Sequence, residues 1–578
     1  MAKKVADQLV EMLVEAGVKR IYAVTGDSLN PVNDAIRRDG RIQWIHVRHE
    51  EAGAYAAKAD AQMAGVGCCA GSSGPGHVHL VNGLYDAHRE RAPVIAIAST
   101  IFTDKLGIEN FQETNPQKLF DDCSSYCHMA NTPKQFATMM QTALQNSLSG
   151  NGVSVVGLPG DVANDDASDI VSSTEVYKPQ ASLHPSAEQT DQLVNLINEN
   201  KKICLFAGMG AKDAREDLVT LAQKLKAPVA YTYRAKMEIQ KDNPNEIGMT
   251  GLLGLKSAYE AMHDADLLIM LGTDFPYSSF LPEKVTTVQV ERRAERIGRR
   301  AKVGLGIQGD VEPTIEALLK NVDEKEDGAY QTKHCEIYGE VKKRLQTHVK
   351  AKGNADRIQP EYVAALINDI ADDDAIFTVD TGMSAVWASK YLHAKSGRSM
   401  LGSFNHGSMA NAMPMAIGAA LAQPDRQTVA FCGDGGISML LGDVATISQY
   451  QLPIKLVVFN NRSLGMVKLE MNVAGYEDWQ TDMHNPDFAT LAESMNIKGI
   501  TARKPDEVES ALDELFNTEG PALLSVFTDD EALAMPPRLD FDQVKGYSKF
   551  MSKKLMDGDF DEILQLVKKD LGYLKDSL

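Results

Sequence analysis

Along this chain, short apolar runs alternate with stretches whose apolar positions recur every three or four residues. Runs of the first kind occupy residues 21–24, 44–47, 94–98 and 153–157, then 203–207 and 267–272, and finally 429–432 and 456–459. Uninterrupted apolar runs that end in glycine or polar residues predict strands buried on both faces, and hence parallel sheets covered by helices. The pattern predicts an α/β protein of three doubly wound, mainly parallel-sheet domains. We place the first over 1–180, the second over 185–335 and the third over 355–530, with a helical tail over 531–578. Residues 162–190 lose periodicity and collect Asp, Ser and Pro, as a linker does; the charged helical stretch 320–354 reads as a second. Residues 1–20 predict an amphipathic helix. Ala54, Ala56, Ala57 and Ala61 predict a helix with a small-residue face, suited to close packing on another helix.

The loops after the strands carry the candidate chemistry. They hold Thr25-Gly26-Asp27-Ser28, Arg48-His49-Glu50-Glu51, Gly71-Ser72-Ser73-Gly74-Pro75-Gly76 and, late in the chain, Gly433-Asp434-Gly435-Gly436 and Asn460-Asn461. Open α/β sheets bind ligands at the carboxyl ends of their strands. A carboxylate and an amide oxygen brought together there are hard donors suited to Mg²⁺ or Ca²⁺, and Mg²⁺ takes further ligands from phosphate and water. The glycines permit close backbone approach to phosphate. Gly208-Met209-Gly210 after residues 203–207 is a shortened glycine loop, readable as a nucleotide loop or as an ordinary tight turn.

Composition narrows the partners. At 578 residues with a net charge of −20, the chain lacks the basic surplus that nucleic-acid binding needs. Its seven cysteines match no structural zinc spacing, and no signal peptide or bilayer-length apolar run is evident, so the expectation is a cytoplasmic protein with reduced thiols.

Gly433-Asp434-Gly435 followed by Asn460-Asn461 resembles the diphosphate-binding motif of thiamine-diphosphate (ThDP) enzymes. Arg48-His49-Glu50-Glu51-Ala52-Gly53-Ala54 with Gly74-Pro75-Gly76 is similar to their pyrimidine-binding domain. Phe111-Gln112-Glu113-Thr114, Gly272-Thr273-Asp274-Phe275-Pro276-Tyr277 and residues 401–414 extend the likeness over nearly the whole chain. The sequence most resembles the pyruvate oxidase family, in particular its quinone-linked, membrane-associated branch, pyruvate:quinone oxidoreductase.

That resemblance implies three cofactors: ThDP, Mg²⁺ and FAD. Glu50 would hydrogen-bond the aminopyrimidine and relay a proton, from an apolar cleft that raises its pKa. Asp434, Asn461 and a backbone carbonyl near Ser463 would hold Mg²⁺, with Gly435, Gly436 and Ser438 along the diphosphate. Thr381, Gly382, Gly407, Ser408, Met409, Leu464 and Gly465 would complete the ThDP site, and His406 reads either as a cofactor contact or as a structural histidine. Met466 would prop the bent cofactor, although an ordinary core role fits it too. Gly26, Asp27, Ser28, Gly74, Phe111, Gln112, Val467 and Glu470 would contact substrate or cofactor. FAD would lie against Gly208, Gly210, Arg234, Thr250, Gly251, Leu252, Leu253, Thr273, Asp274, Phe275, Pro276, Tyr277, Glu291 and Asp310. The family commonly shows Asp-Ile-Asn/Asp-Pro where this chain has Glu291-Arg292-Arg293-Ala294, a departure at the adenosine end.

The implied reaction is oxidative decarboxylation of pyruvate to acetate and CO₂ via hydroxyethyl-ThDP, with electrons passing to FAD and then to a quinone. The alternatives are a phosphate- and oxygen-dependent oxidase giving acetyl phosphate and peroxide, and an acetolactate-synthase-like carboligase. The resemblance also implies a homodimer or homotetramer with active sites at subunit interfaces. In the tail, Phe560, Ile563, Leu564, Val567, Leu571 and Leu574 recur at helical spacing beside Lys568, Lys569 and Lys575. This stripe fits peripheral membrane contact, as in the quinone-linked enzymes, or a helix packed on the body.

Overall fold

The computed structural model describes residues 2–168, 176–177, 181–350 and 357–532. The tail 531–578, with its proposed amphipathic stripe, therefore lies almost wholly outside the described residues. Eighteen strands form three six-stranded sheets. The first contains β1 (Arg20–Ala23), β2 (Gln43–His46), β3 (Gly67–Gly71), β4 (Val94–Thr100), β5 (Tyr126–Met129) and β6 (Ser154–Pro159). The second contains β7 (Ile203–Ala207), β8 (Val229–Tyr231), β9 (Glu246–Met249), β10 (Leu267–Leu271), β11 (Thr286–Glu291) and β12 (Leu305–Gln308). The third contains β13 (Ile376–Val379), β14 (Ser399–Gly402), β15 (Thr428–Gly433), β16 (Ile454–Asn460), β17 (Lys498–Ala502) and β18 (Ala522–Phe527). Every named pairing is parallel. Central strands such as β4, β10 and β16 are buried along their whole length, which is why they read as unbroken apolar runs.

Strand order places the sites. The first sheet runs β2-β1-β3-β4-β6-β5 and the third runs β14-β13-β15-β16-β18-β17, the same order counted within each domain. The second runs β9-β8-β7-β10-β11-β12, the 3-2-1-4-5-6 order of dinucleotide-binding folds. Order reverses between β1 and β3, between β7 and β10, and between β13 and β15. At each reversal the following loops diverge and leave a crevice.

The first and third domains share a core. Helix Glu50–Ala64 follows β2, helix Ala412–Ala422 follows β14, and the two pack face to face. Contact is close enough that a Cβ at Gly418 would stand 2.1 Å from the Ala56 carbonyl oxygen. Ala54, Ala56, Ala57 and Ala61 are all buried; Ala56 meets Gly418 at this seam, while Ala54 lies against Gly83 of helix Val81–Arg89 and Ala57 against Gly67 of β3. Helix Ala329–Lys350 occupies the charged stretch between the second and third sheets. Among the described residues no helix is long and apolar enough to cross a membrane.

Candidate active site

The crevice of the third sheet is built around two buried carboxylates. Asp380, just past β13, accepts hydrogen bonds from the Ala412 amide (2.8 Å) and the Gly433 amide (3.2 Å). It thereby ties the loops after β13 and β15 to the start of helix Ala412–Ala422. Burial pushes its carboxyl up to about 7, and the Ala412, Gly433 and Asn411 amides oppose the shift. Gly436 is glycine because a Cβ there would lie 2.2 Å from Asp380 Oδ2. Sequence reasoning passed over Asp380; its partners lie thirty and more residues away, so no local spacing announces it.

Asp434 begins the next helical turn. Its Oδ1 accepts from the Gly435 amide (2.9 Å), and its Oδ2 from the Arg462 amide (2.7 Å) and Asn485 Nδ2 (2.8 Å). Burial raises its pKa, against those hydrogen bonds, and no cation stands within ion-pair distance of it among the described residues. Asn461 Oδ1 accepts from the Ser463 amide at 3.1 Å, and the Ser463 hydroxyl is buried without a partner. A buried carboxylate, an amide oxygen and an uncommitted hydroxyl converge on the loops after β15 and β16. This oxygen-donor set fits Mg²⁺. Met409 and Leu464 crowd Gly435: a Cβ there would fall 3.1 Å from Met409 Cε and 2.9 Å from Leu464 Cδ2. Gly465 packs on Asn461 in the same way, at 2.9 Å. The Ser438 hydroxyl turns back to the Asp434 carbonyl at 2.6 Å.

Beside this edge lies a cavity of about 450 Å³. Thr381, Gly382, Gly407, Met466 and Glu470 line it, with Asp380 among them and an apolar wall that includes Ala385, Val386, Leu469 and Val473. Val467, the next residue along the helix from Met466, is not among the lining residues and is exposed. His406 and Ser408 are also turned away. Ser408 Oγ accepts from Tyr55 Oη (2.6 Å) and Asn82 Nδ2 (3.1 Å), and the His406 ring stacks on Tyr85 and meets Asn82 Oδ1 at 3.0 Å. Both therefore join the third domain to the first.

In the first domain, the loops after β1 and β3 meet at the reversal of strand order. A Cβ at Gly26 would lie 2.3 Å from Ser72 Cβ, and the Ser73 amide donates to Ser28 Oγ at 2.9 Å. Asp27 Oδ1 accepts from the Ser28 amide at 2.8 Å. Glu50 opens helix Glu50–Ala64 and is buried; His79 Nδ1 lies 3.0 Å from its Oε2, and Gly76 approaches its Oε1. Gln112, with a left-handed φ of 60°, packs on Gly74 and accepts from the Ser73 hydroxyl at 3.0 Å. Phe111 beside it is 83 % exposed. All these contacts stay within the first domain. Phe111, Gln112 and Glu50 form one cluster, and Met466, Glu470 and Asp434 belong to another.

The central domain carries a cavity of about 390 Å³ at the β7/β10 reversal. Arg234, Thr250, Gly251, Leu252, Leu253, Thr273, Asp274, Phe275, Pro276, Tyr277 and Glu291 line it as the sequence led us to expect. Three expected residues do not. A Cβ at Gly208 would strike the Gly272 carbonyl oxygen at 2.5 Å, and one at Gly210 the Gly272 Cα at 2.8 Å, so these glycines let the loops after the parallel strands β7 and β10 pack against each other, and Met209 between them lines the cavity. Asp310 accepts from the Leu183 amide (2.8 Å) and pairs with Arg292, which ties the incoming chain to the sheet instead. Missed were Tyr233, Phe404, Arg91, Arg296, Arg299 and Arg300, all of which line the cavity. Arginines beside aromatic walls fit a flavin dinucleotide, whose diphosphate and ring system require both.

A buried ionic knot stands where the three domains meet. Lys58 Nζ donates to Asp86 Oδ2 (2.8 Å) and to the Gly402 carbonyl (3.0 Å), and pairs with Glu90 at 3.3 Å. Glu90 also accepts from the Phe404 amide (2.7 Å) and pairs with Arg234, while Asp86 accepts from the Ser403 hydroxyl (2.8 Å). The knot fixes the loop 402–404. Phe404 on that loop, with Tyr233, Leu252, Leu253 and Tyr277, lines both cavities.

Sequence comparison agrees with this arrangement. The profile of the thiamine pyrophosphate enzyme N-terminal TPP binding domain matches residues 3–121, the central domain 190–318 and the C-terminal TPP binding domain 380–526. A putative thiamine pyrophosphate-containing protein, YdaP, of Bacillus subtilis is 34% identical over 98% of this chain and 99% of its own length. Pyruvate oxidase of Lactiplantibacillus plantarum is 30% identical over 92% of this chain and 90% of its own. The large subunit of acetolactate synthase isozyme 2 of Escherichia coli is 27% identical over 91% and 95%. Three sheets with the cofactor loops at their reversals, matched end to end by these relatives, place the chain in the thiamine pyrophosphate enzyme family.

Proposed function

We propose that this enzyme decarboxylates pyruvate oxidatively, giving acetate and CO₂, and passes two electrons to FAD and onward to a quinone. The observation that carries the reading is the shared wall. Phe404, Tyr233, Leu252, Leu253 and Tyr277 bound both the cavity at the third sheet and the cavity of the dinucleotide-type sheet, so a flavin ring at the inner end of one would adjoin the other. Pyruvate oxidase of L. plantarum, similar over nine-tenths of the chain, supports the choice of substrate.

When bound, ThDP would supply the carbon nucleophile and electron sink for the keto acid, and FAD the two-electron acceptor. The chain supplies the rest. Asp434 and Asn461 would hold the metal, and Gly435 and Gly436 would let backbone approach the diphosphate. Met466 and the apolar wall of Leu469, Val473 and Val386 would exclude water where the carboxylate is lost, favouring a transition state less charged than the substrate. Glu50 would hold and move the proton, its carboxyl oriented by His79 at 3.0 Å. Because Glu50 makes its contacts within its own domain, a second copy of the chain would bring it to Asp434, which makes a homodimer the smallest active unit.

The test is anaerobic addition of pyruvate with flavin absorbance followed. Bleaching with formation of acetate, reversed by a quinone, is the expected outcome. Reoxidation by oxygen with phosphate-dependent acetyl phosphate would select the oxidase alternative. Acetolactate without bleaching would replace the proposal by a carboligase.

A further inference from the structure

Two arginines at the central cavity come from different domains. Arg91 stands at the turn between helix Val81–Arg89 and β4, in the left-handed region at φ 56°. Arg296 ends the short turn Ala294–Arg296 after β11. Both line the cavity. Both are half-buried, and the Nε of each is shielded from solvent with no hydrogen-bond partner. Neither guanidinium pairs with a carboxylate among the described residues.

Several of the other charged groups around the cavity are already engaged. Glu90 is held by Lys58 and Arg234, and Asp274 by Arg299 and Arg300. Glu291 Oε1 accepts from the Arg293 amide at 3.1 Å. Arg293 itself reaches the Gly150 carbonyl and Asn151 Oδ1, with Glu295 at 3.9 Å. Burial, and then the charge of Arg296, pushes Arg91 down to about 10. A guanidinium Nε kept from water with no partner is unfavourable until an anion takes its hydrogen. Its planar fork matches phosphate oxygens two at a time.

We propose that Arg91 and Arg296 clamp the diphosphate of a nucleotide, so that the ligand staples the first domain to the central one. The inference rests on the reading that the central cavity takes a dinucleotide. Three features favour a nucleotide over a small free anion: the 3-2-1-4-5-6 strand order, a cavity of about 390 Å³, and Glu291 at the end of β11, where an acid engages a ribose hydroxyl. The clamp also accounts for the arginine-rich run 291–300, in which Arg296 is left for the ligand after Arg292, Arg293, Arg299 and Arg300 have paired, and Arg91 joins it from the first domain.

The test titrates the full-length chain, freed of bound nucleotide, with ADP and separately with adenosine, by calorimetry. Arg91→Gln and Arg296→Gln should each weaken ADP binding by about tenfold or more and leave adenosine affinity unchanged. Lysine at either position should restore part of the loss. Thermal melts give a second readout. Without nucleotide, Arg91→Gln should melt no lower than the parent, because one of two neighbouring like charges is removed; with ADP, its stabilisation should be smaller. Equal ADP affinity in parent and variants would overturn the clamp and leave the nucleotide cavity standing. A parallel fall in adenosine affinity would also overturn it, by showing a structural role. A parent that binds neither compound would remove the dinucleotide reading and the clamp with it.

Discussion

At the residue scale, Lys58 and Glu50 show how differently two buried charges can be used. Lys58 is wholly buried, and its ammonium is matched by Asp86, Glu90 and a carbonyl. Replacing it with methionine leaves two carboxylates buried without their cation, a change that costs about 3–5 kcal/mol where such pairs have been broken. Lys58→Met should therefore lower the melting temperature sharply, and Lys58→Met with Asp86→Asn and Glu90→Gln should recover part of it. Glu50, by contrast, has among the described residues a single ion-pair partner, the half-exposed His79. Glu50→Gln keeps the shape and removes the proton relay. Turnover should fall about 10²–10⁴-fold, with the fold unchanged by circular dichroism; full activity in that variant would refute the relay.

At the element scale, the seam between helices Glu50–Ala64 and Ala412–Ala422 leaves no room for a side chain at Gly418. Gly418→Leu should force the helices apart and destabilise by about 1–3 kcal/mol or more, read as a fall in melting temperature. Close packing around this helix was legible in advance, because a helix so rich in alanine lets neighbours approach its backbone, here Gly418, Gly83 and Gly67. So were the long central strands, whose burial on both faces leaves no polar position to break the run. Shorter strands escaped: β3 (Gly67–Gly71) and β14 (Ser399–Gly402) contain no β-branched residue, and they are strands only because neighbours pair with them. The site divided in the same way. The Gly-Asp-Gly and Asn-Asn loops are local signals, readable from spacing. Asp380, the Lys58 knot and the Arg91–Arg296 pair are assembled from distant segments, and each member alone reads as an ordinary charge. The glycines at 208 and 210 stayed ambiguous in the sequence, because close packing of two loops and a phosphate cradle require the same missing Cβ.

At the scale of the whole molecule, the contact between the central and third domains carries a pH dependence. His393, just past helix Met383–Tyr391, is pushed down to about 3 by burial and then by Lys236, Lys342 and Arg398. Buried Lys236 is itself pushed down to about 8. In the unfolded chain the histidine takes its proton near its ordinary value of 6.5, so between about 6.5 and 3 the unfolded state binds more protons. Stability should therefore fall as pH drops through that window, and His393→Phe should flatten the decline in urea midpoints. Quaternary structure is testable by mixing defects. If each cleft takes Glu50 from one chain and Asp434 from another, coexpressing Glu50→Gln with Asp434→Ala chains rebuilds one intact cleft per mixed dimer. Activity should return to roughly a quarter of the parent's, and no recovery at all would place both residues in one chain's site.

The first and third domains have one strand order, and their equivalent helices are already joined in the seam at Ala56 and Gly418. That arrangement spends, inside the polypeptide, the surface a pair of separate domains would use to find each other, while Glu50 and Asp434 each keep hydrogen-bond partners from their own domain. If a second copy completes the cleft, dilution should act selectively: turnover should disappear below the association threshold, while each lone chain should keep its tertiary structure and any affinity for ADP measured in the assembled protein.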